Sequence, residues 1–122
     1  MNHPFLERTK TDVVRLRQMI ESLRQMIESL RQGSQAVLEE VEQLAHSIHG
    51  AGAMCGFLQV SAAGGVIERL AERALVNAPA RNSAAELAVL QQLQDCTEHL
   101  ACEVEAAAHC APSGAGMFAG LA

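Results

Sequence analysis

Apolar residues recur at helical spacing along the first third of the chain. They stand alternately three and four residues apart, at Val13, Leu16, Ile20, Leu23, Ile27 and Leu30. This spacing is typical of a helix that packs lengthwise on other helices. The motif R-Q-M-I-E-S-L occupies residues 17–23 and is repeated over residues 24–30. We expect one long helix from about residue 7 to residue 32. If part of it projects beyond its neighbours, its apolar stripe favours a weak homodimer through residues 13–30.

Three further helices are predicted, and each has a start or stop signal. Gly33 suits the end of the first helix and Ser34 suits the N-cap of the second. The second is expected from about residue 35 to 55, with an inward stripe of Val37, Val41, Leu44 and Ile48. The third is expected from about residue 58 to 76, with Val60, Ala63, Ile67, Leu70 and Ala74 inward. The fourth follows the capping box Ser83-Ala-Ala-Glu86 and turns inward Leu90, Leu93, Thr97, Leu100, Val104 and Ala107.

Four amphipathic helices with short connections predict an all-α fold, an antiparallel up-down four-helix bundle with a long N-terminal helix. We expect the bundle to occupy residues 1–112 and to end at Pro112. The Gly/Ala-rich residues 113–122 are expected to form a flexible tail. Aromatic residues make up only 2% of the chain. This scarcity disfavours β-sandwiches and surfaces that stack on nucleic-acid bases.

Charge and cysteine content narrow the functional classes. The net charge is −5, which argues against a nucleic-acid partner because phosphate contacts need clustered Lys and Arg. Neither a signal-like apolar run near the start nor a stretch long enough to span a membrane is present. No C-x-x-C pair occurs among the four cysteines. We therefore expect a cytoplasmic protein without membrane contact, whose thiols stay free, at Cys55, Cys96, Cys102 and Cys110.

One histidine of the second helix stands on a bare surface. On a helical wheel, His46 points away from the apolar stripe, and His49 flanks it. Gly50 and Ala53 share the outward face one and two turns later. A glycine inside a helix costs about 1 kcal/mol relative to alanine, and on an exposed face it does not serve helix packing. A projecting imidazole on a bare surface favours docking by another protein. The expected docking surface comprises Gly50, Ala53, Glu42 and Gln43.

Residues 45–57 read A-H-S-I-H-G-A-G-A-M-C-G-F. This segment resembles the phosphorylation motif of histidine phosphotransfer domains, and most closely that of the domain which opens chemotaxis histidine kinases. The matches are His46, the Ser-Ile that follows it, Gly50 and the pair Gly56-Phe57. Downstream, Glu68 matches the glutamate that those domains carry on the next helix. The resemblance spans roughly residues 8–108, and its specific part is residues 45–70.

The resemblance implies a phosphocarrier in two-component signalling. His46 would accept a phosphoryl group on a ring nitrogen and exchange it with an aspartate of a response-regulator receiver domain, with a histidine kinase as a donor. Glu68 would bind the Nδ1–H of that ring and leave Nε2 as the nucleophile. No cofactor is expected, since any Mg²⁺ would belong to the partner. The length leaves no room for a kinase catalytic domain, so we expect no enzyme activity in this chain alone. It could be a whole protein or the phosphotransfer portion of a larger kinase.

The chain departs from the chemotaxis-type pattern at two positions. Where those domains have a lysine three residues after the histidine, this chain has His49, whose imidazole is charged only when protonated. Many of them also carry a histidine three residues before the glutamate, where this chain has Gly65. Without the motif, Glu68 would be interpreted as a solvated helix residue paired with Arg69 or Arg73.

Two other classes of function stay open at this stage. The spacing of Glu42, His46 and His49 places a carboxylate and two imidazoles along one side of a helix, a donor set that suits Zn²⁺. A similar helical spacing relates Cys96, His99 and Cys102 or Glu103. Alternatively, the repeated heptads would make the chain a purely structural interaction protein.

Overall fold

The structure, a computed structural model, describes residues 3–28, 34–76 and 83–110. They form four helices: α1 (Pro4–Glu28), α2 (Ser34–Cys55), α3 (Leu58–Val76) and α4 (Ser83–Cys110). All four predicted helices are confirmed, and the described residues contain no strand. The predicted end of the first helix at Gln32, Gly33, Pro112 and the predicted flexible tail lie outside the described residues.

The helices form a four-helix bundle in which each packs against two neighbours. α1 contacts α2 and α4, and α3 contacts the same two helices, with the most extensive contact between α2 and α3. α2 and α3 run antiparallel, since Gly52 lies against Ser61 while His46 hydrogen-bonds Glu68. α1 and α4 are joined by two hydrogen bonds of 2.8 Å from the Arg17 guanidinium to the Glu98 carboxylate. The all-α bundle expected from the apolar pattern is therefore confirmed.

The apolar stripes of the four helices meet in one core. The stripe of α1 is buried over its described side chains, from Val13 to Leu23, and that of α4 is buried from Leu90 to Val104. On α2, Val41 and Ile48 of the expected stripe are buried, but the buried face extends to one side of that stripe. Leu38 and Ala45 are buried, whereas Val37 and Leu44 are only partly so.

α1 begins three residues earlier than the expected start near Glu7, because its first turn has its own capping groups. Pro4 occupies the first helical position, where a missing N–H costs nothing. The His3 carbonyl accepts a hydrogen bond from Glu7 N at 3.0 Å, and His3 Nδ1 accepts one from Phe5 N at 3.0 Å. Histidine is not among the usual N-cap residues, so sequence reasoning missed this start. The extra turn places Phe5 against Phe57.

The described part of α1 is only slightly longer than α2. α1 has 25 residues, α2 has 22 and α4 has 28. At 1.5 Å per residue, α1 outreaches α2 by about 4.5 Å, and α4 on its other side is longer still. The described part of the heptad stripe lies in the bundle core, while the side chains of Ile27 and Leu30 lie outside the described residues. Self-association through residues 13–30 stays a prediction.

Two further features can be assessed over the described residues, the length and hydropathy of the helices and the state of the thiols. No helix over the described ranges is long and apolar enough to cross a membrane. Cys55, Cys96 and Cys102 are free thiols. Cys96 is half-buried, and this burial raises the pKa of its thiol above the ordinary value. A raised pKa makes this thiol less reactive at neutral pH.

Candidate functional site

Small residues bring the backbones of α2 and α3 close together beneath the exposed face of α2. A Cβ added at Gly64 would lie 2.9 Å from Ile48 Cγ2, and one added at Gly52 would lie 3.0 Å from Ser61 Cβ. Ser61 Oγ also donates a hydrogen bond of 2.7 Å to the carbonyl of His49, which joins the two helices directly. Even an alanine at Gly64 would push the helices apart. The close approach therefore depends on glycine.

A tight reversal at Gly56 sets which residues of the two helices face each other. Gly56 has a φ of 85°, a left-handed conformation that favours glycine. Phe57 N donates to Gly52 O at 2.8 Å and Gly56 N donates to Ala53 O at 3.3 Å, the two bonds of a Schellman motif. α3 starts immediately afterwards, at Leu58. This short reversal brings residue 68 of α3 opposite residue 46 of α2.

His46 and Glu68 meet across the two helices. The Nδ1–H of His46 donates a hydrogen bond of 2.6 Å to Glu68 Oε2. The His46 side chain is 72% exposed and that of Glu68 only 13%, so a well-shielded carboxylate holds one edge of a solvent-facing imidazole. This leaves Nε2 of His46 as the ring nitrogen with a lone pair. Over the described residues Glu68 makes no ion pair with Arg69 or Arg73, so the interpretation of Glu68 as a solvated ion-pair partner is not supported.

His49 binds the same carboxylate. Its Nδ1–H donates a hydrogen bond of 3.1 Å to Glu68 Oε1. The ring lies over Gly65, where an added Cβ would be 3.4 Å from its Cε1 and Nδ1 atoms and 3.5 Å from a guanidinium nitrogen of Arg69. Sequence reasoning placed His49 beside the expected phosphoryl group and did not anticipate that it donates to Glu68. Its i, i+3 spacing from His46 carries only a weak signal for a shared partner.

The shared carboxylate changes the proton affinities of the site. The hydrogen bond to Glu68, and then its negative charge, raise the pKa of His46 above the ordinary value, and the charges of Glu42 and Glu72 add to this. Burial alone would raise the pKa of Glu68, but the hydrogen bonds from His46 and His49 together outweigh it and lower that pKa. Glu68 is therefore ionised at neutral pH, and both imidazoles act as donors to it.

The expected docking surface is accessible around His46. Gly50, Ala53 and Gln43 are exposed, Glu42 is half-buried, and a Cβ added at Gly50 would meet nothing within 4 Å. Gly50 therefore leaves open space on this face of α2, and docking there stays a prediction. Sequence reasoning missed Met54, which is 89% exposed on the same helix.

The metal-binding interpretation is not favoured. Among the described residues, one group brings three potential ligand atoms within 4.8 Å of one another, and it consists of Glu42, Glu68 and Glu72. The predicted triad of Glu42, His46 and His49 does not converge, because both rings turn their Nδ1–H groups to Glu68. The predicted cluster on α4 does not converge either. Among its described members, two potential ligand atoms come together in the contact between His99 Nε2 and a carboxylate oxygen of Glu103, which are 3.5 Å apart.

Comparison with known proteins gives one match. The family model described as the Hpt domain matches residues 14–110, which includes α2, α3 and the His46–Glu68 pair. No curated protein and no solved structure matches the chain.

Proposed function

The chain belongs to the Hpt domain family, which makes it a histidine phosphotransfer domain of a phosphorelay, and we propose that its phosphoacceptor is His46. The observation that supports this assignment is the 2.6 Å hydrogen bond from His46 Nδ1–H to Glu68 Oε2. It holds the ring in the tautomer whose Nε2 carries a lone pair, and the side chain is 72% exposed. An acceptor must be both unprotonated at its nucleophilic atom and open to two different proteins.

In the proposed reaction, the Nε2 lone pair attacks the phosphorus atom of a phosphoryl donor. With a phosphorylated receiver, the bond between phosphorus and the aspartyl oxygen breaks as the Nε2–P bond forms, and the aspartate leaves as a carboxylate. The Nδ1 proton stays on the ring, so positive charge develops on the imidazole. Glu68 supplies the negative charge that stabilises this ring. Transfer to a receiver is the same step in reverse.

Partner proteins supply the rest of the chemistry in this proposal. Glu42, Glu68 and Glu72 make the surroundings of His46 negative, which disfavours an isolated phosphoryl group. A receiver that brings Mg²⁺ with its own carboxylates would offset this charge, and no cofactor of this chain enters the step. We assign His49 a contact with Glu68 rather than with the phosphoryl group, since its Nδ1–H is engaged with Glu68.

The proposed partners are a response-regulator receiver domain and a histidine kinase. Both would dock over the surface of Gly50, Ala53, Gln43 and Glu42, where side chains offer little obstruction. The likeness of residues 45–57 to chemotaxis kinases supports a chemotaxis-type pathway in the cytoplasm. In this proposal a kinase domain or a phosphorylated receiver supplies the phosphoryl group.

The test is incubation of the chain with a panel of phosphorylated receiver domains, followed by detection of acid-labile, base-stable phosphate. We expect phosphate on His46, and none in His46→Gln, whose circular dichroism should match the parent because the side chain is exposed. His99→Gln is the matched control, since His99 is an exposed imidazole on α4. Phosphate in His46→Gln, or its loss in His99→Gln, would contradict the assignment.

A further inference from the structure

The two carboxylate oxygens of Glu68 accept hydrogen bonds from two different histidines. Oε2 accepts from His46 at 2.6 Å and Oε1 accepts from His49 at 3.1 Å. A carboxylate held at one oxygen can rotate about its terminal bond and change its angle to the donor. When both oxygens are held, rotation breaks one bond or the other. His49 therefore restricts the orientation that Glu68 presents to His46.

Water is a poor substitute for His49 at this position. The Glu68 side chain is only 13% exposed, so an apolar side chain in place of His49 would leave its Oε1 largely shielded from solvent without a donor. An ionised oxygen in that situation is costly and draws the carboxylate towards water or another donor. Removal of His49 should thus displace Glu68 and loosen its contact with His46.

Gly65 provides the space that this arrangement needs. A Cβ there would lie 3.4 Å from two atoms of the His49 ring, an ordinary contact, but a longer side chain would overlap the ring. Gly65 is buried between α2 and α3. The His49 ring can therefore occupy this place because position 65 on the facing helix has no side chain.

We infer that His49 is a positioning residue, which holds Glu68 through its Nδ1–H so that Glu68 keeps His46 in the Nδ1–H tautomer. The inference deepens the proposed function and rests on it for its relevance to phosphoryl transfer. In this role His49 acts through hydrogen-bond donation, and its positive charge is not required. A neutral donor at the same place should therefore replace it.

The experiment compares His49→Leu with His49→Asn in the full chain. Asparagine places a neutral N–H near the position of imidazole Nδ1, whereas leucine offers no donor. The readout is the ¹⁵N spectrum of the His46 ring, which distinguishes the Nδ1–H from the Nε2–H tautomer. We expect His49→Leu to shift His46 towards the Nε2–H tautomer and to slow its phosphorylation about tenfold, the usual scale for loss of an orienting partner. His49→Asn should restore both.

Gly65 supplies an independent pair of variants. Gly65→Ala adds a Cβ at ordinary contact distance and should leave the His46 tautomer unchanged. Gly65→Leu should displace the His49 ring and reproduce the tautomer shift of His49→Leu. Circular dichroism identifies any variant that unfolds, and in that event the His49 pair alone decides the question.

The outcomes separate this inference from the proposed function. If His49→Leu leaves the His46 tautomer unchanged, or if His49→Asn fails to restore it, the positioning role is wrong. If rescue requires His49→Lys and Asn does not suffice, positive charge is what matters and the inference is also wrong. If the tautomer shifts as expected but His46 never takes phosphate, the positioning geometry stands and the proposed function fails.

Discussion

Replacement of two glycines should separate partner docking from helix packing. Gly50 and Gly64 both lie inside helices, but they meet opposite surroundings. A Cβ at Gly50 has nothing within 4 Å, whereas a Cβ at Gly64 would lie 2.9 Å from Ile48 Cγ2 and 3.2 Å from the backbone nitrogen of His49. The backbone nitrogen cannot rotate away. Gly50→Ala and Gly64→Ala therefore make the same chemical change with different physical consequences.

The magnitudes follow from these contacts. Replacement of a helical glycine by alanine gains about 1 kcal/mol of helix propensity, and Gly50→Ala should keep all of it. Gly64→Ala gains the same amount but forces a shift of packed helices, and overpacking costs about 1–3 kcal/mol. At the middle of that range the net loss is about 1 kcal/mol. For a domain of this size we expect a change in Tm of about 4 °C, upward for Gly50→Ala and downward for Gly64→Ala.

The effect on partner docking is tested with Gly50→Arg. Arginine is a better helix former than glycine, so the bundle should stay folded while the long side chain covers the surface beside His46. We expect transfer from a phosphorylated receiver to fall at least tenfold without a fall in Tm. Calorimetry and the acid-labile phosphate assay measure the two effects. A Tm lowered by several degrees in Gly50→Ala would show that Gly50 serves packing, and unchanged transfer in Gly50→Arg would refute docking over this face.

Three further outcomes can be checked. Because Glu68 raises the pKa of His46, the rate of His46 phosphorylation by a small-molecule donor should rise as pH increases through that raised pKa. In Glu68→Gln, the pKa of His46 measured by NMR should fall. The increase in phosphorylation rate should then occur at lower pH. Arg17→Met, which removes the exposed ion pair with Glu98, should lower the free energy of unfolding by less than about 1 kcal/mol. Deletion of Arg24–Leu30 keeps the heptad register and should abolish any self-association seen by sedimentation at hundreds of micromolar.

The four helices could be predicted because their signals are local or repeated, whereas the His46–Glu68 pair was expected from the resemblance to histidine phosphotransfer domains. Apolar residues at helical spacing indicate which face of each helix is buried, whatever the neighbours are. The position of Glu68 relative to His46 depends on one reversal between antiparallel helices, and the Gly56-Phe57 signal marks it. Once that reversal is placed, residues 46 and 68 must come close together. The choice of Glu68 as the partner, however, came from the resemblance to histidine phosphotransfer domains and not from the spacing alone.

The role of His49 and the need for Gly64 could not be predicted in the same way. Which side chain shares a carboxylate depends on ångström-level separation between α2 and α3, and periodicity carries no such information. Gly64 looked like one of several small residues on α3, and only its 2.9 Å approach to Ile48 distinguishes it. The start of α1 was missed for a different reason, because His3 caps a helix without being a usual capping residue.

Glu68 has two opposing effects on His46, and solvent exposure decides their balance. By raising the pKa of His46, it reduces the fraction of rings that are unprotonated at neutral pH and able to attack. In the proposed transfer, the same negative charge would stabilise the positive ring that forms when Nε2 bonds to phosphorus. In a buried site that stabilisation would be large and would trap the phosphoryl group on the carrier. With the His46 side chain 72% exposed, water screens the attraction. A phosphoryl group on His46 would then stay reactive enough to be passed on, as the proposed reversible transfer requires.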